Sequence, residues 1–110
     1  MTESVLQFEI FTYHWNTFPD ERGQLFHINN KSSNRIEGNR MKALGVIPGV
    51  SDMVFFAQNG KVYFIELKTE KGRQSAPQIA FQALCERLGH TYVIIRSLDE
   101  FKTFHNNLCS

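Results

Sequence analysis

Cysteine, proline and net charge are all scarce in this 110-residue chain, and each scarcity closes off a class of protein. The two cysteines, Cys85 and Cys109, stand alone, with no Cys-x-x-Cys pair and no histidine at zinc-ligand spacing, so neither a disulfide framework nor a zinc module is expected. His14, His27, His90 and His105 are scattered, and none has a His or carboxylate partner at helical metal-ligand spacing. Twelve Lys and Arg against eleven Asp and Glu leave a formal charge of +1, so any affinity for nucleic acid must come from local basic clusters. No apolar run approaches the ~20 residues that cross a bilayer, and no basic-then-apolar leader opens the chain. A reduced, cytoplasmic setting is the expectation.

Aromatic residues, in contrast, are plentiful: ten Phe, three Tyr and one Trp within 42% hydrophobic residues. Such large apolar side chains help a short chain offset its conformational entropy, and the length suits one domain over 1–110. Residues 3–17 are predicted as a helix capped by Thr2 and stopped at Pro19-Asp20. A short strand over 24–29 precedes a basic loop over 30–49 with a helical turn around 39–44. Runs 52–57 and 61–68 are predicted strands, apolar on both faces and therefore central in a covered sheet. Helix 75–88 carries Ala80, Phe81, Leu84, Cys85 and Leu88 as one apolar stripe, with Gly89 as its stop. A buried strand over 91–96 and an amphipathic helix with Leu98, Phe101, Phe104 and Leu108 follow.

The chemistry stands where polar residues interrupt an apolar pattern. Glu66 and Lys68 share one face of their strand, since side chains alternate with period two. A carboxylate and an ammonium in such a place are costly unless paired or bound to metal. Asp52, at the start of the preceding strand, can add a second carboxylate, and two carboxylates with a lysine suit Mg²⁺ or Mn²⁺. Register decides this. A two-residue Asn59-Gly60 turn places Asp52 opposite Leu67 and throws the carboxylates onto opposite faces. A three-residue loop, Gln58-Asn59-Gly60 with Gly60 left-handed, places Asp52 opposite Glu66.

Pro48-Gly49-Val50-Ser51-Asp52, Phe64-Ile65-Glu66-Leu67-Lys68-Thr69, Ser75 with Gln78, and Gly89 followed by Tyr92-Val93-Ile94-Ile95-Arg96-Ser97 together resemble the virus-type replication-repair nuclease (VRR-NUC) family of PD-(D/E)XK nucleases. The resemblance spans nearly the whole chain. The Asp and Glu-x-Lys pattern alone recurs in many hairpins; its lead-in, the Ser-x-x-Gln helix start and the order of elements make it specific. The larger Fanconi-anaemia-associated nuclease carries a related domain at its C-terminal end.

The resemblance implies an α/β/α restriction-endonuclease-like fold with a central mixed sheet, and metal-dependent hydrolysis of DNA that leaves a 5′ phosphate. It further implies that Asp52, Glu66 and the Leu67 main-chain carbonyl ligate Mg²⁺ or Mn²⁺, and that Lys68 orients or deprotonates the attacking water. Gln78 matches the glutamine of the family's active-site helix, and Glu9 the acid of its first helix, which would join the metal-binding set. Standalone relatives occur in phages and bacteria and are homodimers associated with four-way (Holliday) junctions, which implies the cytoplasm of a bacterium or phage-infected cell.

Plainer readings stand beside these. Glu66 and Lys68 can form an edge-strand ion pair, Asp52 can terminate a turn, and Ser75 with Gln78 fits a capping box. Glu9 can be a surface acid at the rim of an apolar face. Lys31, Arg35, Arg40 and Lys42, joined by Lys71 and Arg73, suit a phosphate backbone but can also be solvated. The first helix is apolar twice, with Leu6, Ile10 and Tyr13 on one side and Phe8, Phe11, Trp15 and Phe18 on the other. The aromatic side is the expected dimer face unless the last helix covers it. A nucleic-acid-binding subunit that keeps the fold without cutting is the alternative function.

Overall fold

The structure is a computed structural model and describes residues 1–109, apart from the side chain of Cys109. Four strands form one mixed sheet in the order β1 (Leu25–His27), β2 (Met53–Phe56), β3 (Val62–Leu67), β4 (Thr91–Ile95). The first three are antiparallel, and β4 runs parallel to β3. A parallel neighbour needs a crossover, which is helix α3 (Ala76–Arg87). Helices α1 (Glu3–Thr17) and α4 (Leu98–Cys109) cover one sheet face, where Leu6, Ile10 and Phe101 meet Leu25, Met53, Phe55, Ile65, Leu67 and Ile95 in the main core. On the opposite face α3 sets Phe81 against Phe64 and Tyr92. The architecture is the expected α/β/α layering about a mixed sheet.

Local chemistry sets the helix limits. The Thr2 hydroxyl accepts from Val5 N–H at 3.1 Å, a cap worth about 1 kcal/mol. Leu6, Ile10 and His14, four apart, form the buried line of α1. Phe8, Phe11 and Trp15 lie on its open side, Phe8 being 71% exposed, and α4 does not cover them. Phe18 departs from the expected aromatic face: it follows the helix and turns inward onto His105, with ring centroids 4.3 Å apart.

Three further expectations need correction. The basic segment is more ordered than a loop, because Asn34 caps Glu37 N–H at 2.8 Å and starts a nine-residue helix, α2 (Arg35–Ala43). Strand β4, expected to be buried, lies at the sheet edge, and only Tyr92 and Ile95 of it are buried. The stripe expected on α3 is split: Phe81 and Cys85 face the sheet in line with Gln78 and Gln82, while Ala80, Leu84 and Leu88 lie exposed with Ile79 and Ala83. The inward line of the helix carries Gln78 to Glu66 of the sheet and Gln82 to Gln74 of the preceding loop.

The hairpin has the register that the chemistry requires. Met53 pairs with Ile65 and Phe56 with Val62, and the Ala57 N–H donates to the Lys61 carbonyl at 2.8 Å. The connection is the three-residue Gln58–Gly60, with Gly60 at φ 76°. Asn59, at φ 66°, shares the left-handed conformation, which its short polar side chain tolerates. A Cβ on Gly60 would meet nothing within 4 Å, so the cost of replacing it is conformational alone. Gly60→Val should therefore lower stability by about 1–3 kcal/mol, read as a lower urea midpoint at unchanged slope; an unaltered midpoint would contradict a strained turn.

Candidate active site

Continuing the β2–β3 register by one residue sets Asp52 across from Glu66, and Lys68 lies two residues further along the same face. All three are largely buried: Asp52 8%, Glu66 0% and Lys68 7% exposed. Asp52 Oδ2 accepts the Leu67 N–H at 2.7 Å and so replaces the ladder bond that the end of β2 does not supply. The Asp52 carbonyl in turn accepts from Ile28 N–H at 2.9 Å and is 2.8 Å from His27 Nδ1, which fastens it to the end of β1.

Glu66 is held from two sides. Its Oε2 accepts from Gln78 Nε2 at 2.9 Å and its Oε1 from the Tyr92 hydroxyl at 3.2 Å. Gln78 Oε1 meanwhile accepts the Ser75 N–H at 2.8 Å, and Ser75 Oγ accepts the Gln78 N–H at 3.4 Å. Gln78 thus closes the capping box expected from sequence with its carbonyl oxygen, and its amide holds the Glu66 carboxylate. Gln74 Nε2 steadies Tyr92 from behind, donating to its hydroxyl at 3.3 Å and to Gln82 Oε1 at 2.9 Å.

Two contacts outside the carboxylates hold this geometry. Gly49, at φ 82°, packs so tightly that a Cβ there would lie 2.3 Å from the Pro77 carbonyl and 2.7 Å from Gln78 N. No residue with a side chain lets the Asp52 lead-in approach the first turn of α3 this closely. Beyond Lys68, the Arg96 guanidinium donates to the carbonyls of Thr69 at 2.8 Å and Gly72 at 2.7 Å, shaping the loop that leads to α3.

The electrostatics are unbalanced. Among the described residues no Lys, Arg or His forms an ion pair with Asp52 or Glu66, and the Lys68 ammonium makes neither a hydrogen bond nor an ion pair. Burial, then the adjoining Asp52 carboxylate, pushes the Glu66 carboxyl up to about 8, although Lys68 and Tyr92 act the other way. Burial also raises the Tyr92 phenol, opposed by the Gln74 hydrogen bond.

Neither a protein-family model nor a curated protein matches the sequence. Among solved structures, a "VRR_NUC domain protein" superposes with a TM-score of 0.77 over 98% of this chain and 88% of that one, at 17% sequence identity. The chain has the VRR-NUC fold. The expected positions can now be located within it. Asp52, Glu66, Lys68 and Gln78 converge, with the Leu67 backbone between the two strand residues. Glu9 is half-buried on α1, which packs on the other sheet face, and among the described residues it makes no hydrogen bond or ion pair with them. Lys31, Arg35, Arg40, Lys42, Lys71 and Arg73 are all exposed, and Arg40 pairs with Glu37 at 3.2 Å.

Tyr92, Gln74, Gly49 and Arg96 were not singled out as site residues from sequence. Within the VRR-NUC fold the signal for Tyr92 was faint, a hydroxyl-bearing aromatic at an apolar strand position. The histidines, too, are not all scattered in space, since His14 and His105 both meet Glu21.

Glu66 yields a pH prediction. Between the ordinary carboxylate value and about 8 the folded protein retains a proton that the unfolded chain releases, so this group lowers stability as pH rises through that window. Without divalent metal, Glu66→Gln should melt at a higher temperature than the parent at pH 8, and the advantage should vanish near pH 4. Parallel melting curves across that range would rule out a strained carboxylate.

Proposed function

We propose that this chain is a metal-dependent endonuclease that hydrolyses DNA phosphodiester bonds and acts as a homodimer on four-way junctions. One observation carries the reading: two carboxylates are buried opposite each other with no ion pair among the described residues, and the largely buried Lys68 beside them acts on Glu66 through space without a hydrogen bond or ion pair. Buried charges of this kind are costly in a purely structural role. A divalent cation resolves one half of the imbalance and a phosphate the other. The oxygen-only donor set fits Mg²⁺ or Mn²⁺, with Asp52, Glu66 and the Leu67 carbonyl as the groups that would hold it. When bound, such an ion supplies a more acidic water and stabilises the charge gathered on phosphorus-bound oxygens.

The protein's own residues do the rest. Leu67 N–H fixes the Asp52 carboxylate, while Gln78 and Tyr92 fix that of Glu66, so neither must reorganise during the reaction. Lys68 presents Nζ to the scissile phosphate and to the water that attacks it. The exposed basic residues of α2 and of the loop after Lys68 offer the DNA backbone contacts that a net charge of +1 cannot supply at long range. For the dimer, support comes from the open side of α1, where Phe11 and Trp15 stack at 5.7 Å and Phe8 stands free beside them. Two sites related by a dyad suit the paired cuts that a symmetric junction requires.

Labelled single-stranded, duplex, flap and four-way DNA, each with and without Mg²⁺ or Mn²⁺, tests the activity. Cleavage should require the ion, and Lys68→Ala should reduce it at least ~100-fold while the protein stays folded. Metal-independent retention of DNA with no cutting of any substrate would favour the non-cleaving subunit instead.

Sedimentation tests the assembly. The parent should be a dimer and the Phe11→Glu, Trp15→Glu variant a monomer that loses paired nicking, whereas Ile79→Glu on the open side of α3 should leave the dimer intact. A parent that sediments as a monomer and prefers plain duplex would remove both the dimer and the junction role.

A further inference from the structure

A second polar cluster lies beneath the other sheet face, beyond the reach of Asp52 and Glu66. His14 from α1, Glu21 from the turn that follows it, and His105 from α4 converge although 84 residues separate the last two. Both imidazoles are 1% exposed, and their Nε2 atoms lie 3.0 and 2.7 Å from one oxygen, Glu21 Oε1. The three donor atoms all fall within 4.8 Å of one another, the only His, Cys, Asp and Glu set of this kind among the described residues. The rings meet edge to face at 5.5 Å, set among Phe18, Phe55 and Phe101. Glu21 is the accessible member, and it lines a cavity of about 650 Å³ with Gln24, Tyr63 and Asn107 beside the Gln58–Gly60 loop.

We propose that His14, Glu21 and His105 form a transition-metal site of Zn²⁺ type, separate from the nuclease centre. Two imidazole nitrogens and one carboxylate oxygen are a donor set that suits Zn²⁺, whereas Mg²⁺ and Ca²⁺ favour oxygen alone. Tetrahedral ligands at about 2.0–2.1 Å stand about 3.3 Å apart, so the two Nε2–Oε1 separations open by about 0.3 and 0.6 Å while the two imidazole nitrogens, within 4.8 Å of each other, settle to the same spacing. Without metal, Nε2–H bonds to Glu21 hold the same atoms in place. On loading, each Nε2 proton moves to Nδ1 or to solvent, and the nitrogen lone pair replaces it on the metal. Glu21 also compensates part of the cation's charge. The remaining position faces the cavity and takes water. Because the ligands come from α1, the turn and α4, the ion ties together the two helices that cover the main core.

The test is titration of the full-length Glu66→Gln protein, which weakens the nuclease centre as a competitor, with ZnCl₂ and CoCl₂. One equivalent should bind, Co²⁺ should show tetrahedral visible absorption, and the Nε2 resonances of both His14 and His105 should move. Adding Glu21→Gln, whose amide oxygen still accepts a hydrogen bond, should weaken Zn²⁺ binding at least tenfold. Equal affinity with and without that change, or immobile Nε2 signals, would reduce the cluster to a hydrogen-bonded tie. The imidazole signals decide the matter even if the Glu21 variant folds poorly.

Discussion

The constraint on which the rest of the structure depends is the cost of holding two carboxylates together away from water. Asp52 and Glu66 face each other across adjoining strands, where burial and the neighbouring Asp52 carboxylate both favour protonation of Glu66. Every polar contact around them answers that cost. A backbone N–H, an amide and a phenol each donate to one of the two groups, and none of them neutralises its charge. Donors that orient without neutralising leave the charge of the pair uncompensated, which is what the proposed metal site would use. A salt-bridged pair in the same place would be easier to fold and poorer at binding metal.

Parity links this constraint to the backbone. A strand turns a side chain from one face to the other at every residue, so the length of the Gln58–Gly60 loop decides whether the carboxylates meet or are separated by the sheet. Positive φ at Asn59 and Gly60 is the backbone condition for that loop length. The small, distant connection and the polar centre are two ends of one hairpin, and a change of one residue at the first would dismantle the second.

Local and periodic signals were legible in the sequence. The strand order around the hairpin, the register through Gly60, the Thr2 cap, the Ser75 box and the convergence of Asp52, Glu66 and Lys68 rest on spacing within a dozen or so residues, where alternation and capping rules act directly. Features that depend on surfaces meeting were not legible. Gly49 reads as a turn residue, and only its approach to Pro77 shows that it also permits contact with α3. The apolar residues of α3 suggested one buried stripe, yet Gln78 and Gln82 take the inward line because their partners are polar. Glu9 matched by position in its helix but rides on the layer facing away from the carboxylates. His14, Glu21 and His105 meet through tertiary packing, which no local spacing could signal.

The parallel pairing of β3 with β4 gives the centre an order of completion. Asp52, Glu66 and Lys68 belong to a hairpin that is local in the chain, but Tyr92 and the carbonyl of Ile95, which accepts the Lys68 N–H at 3.1 Å, arrive only after the whole of α3. Arg96, which shapes the loop after Lys68, comes later still. A chain interrupted before β4, during synthesis or by proteolysis, would carry both carboxylates, the lysine and Gln78 without Tyr92 or the strand that pairs with β3. In such a fragment Glu66 would be held from one side only, so the geometry of the pair is complete only once the last strand has docked.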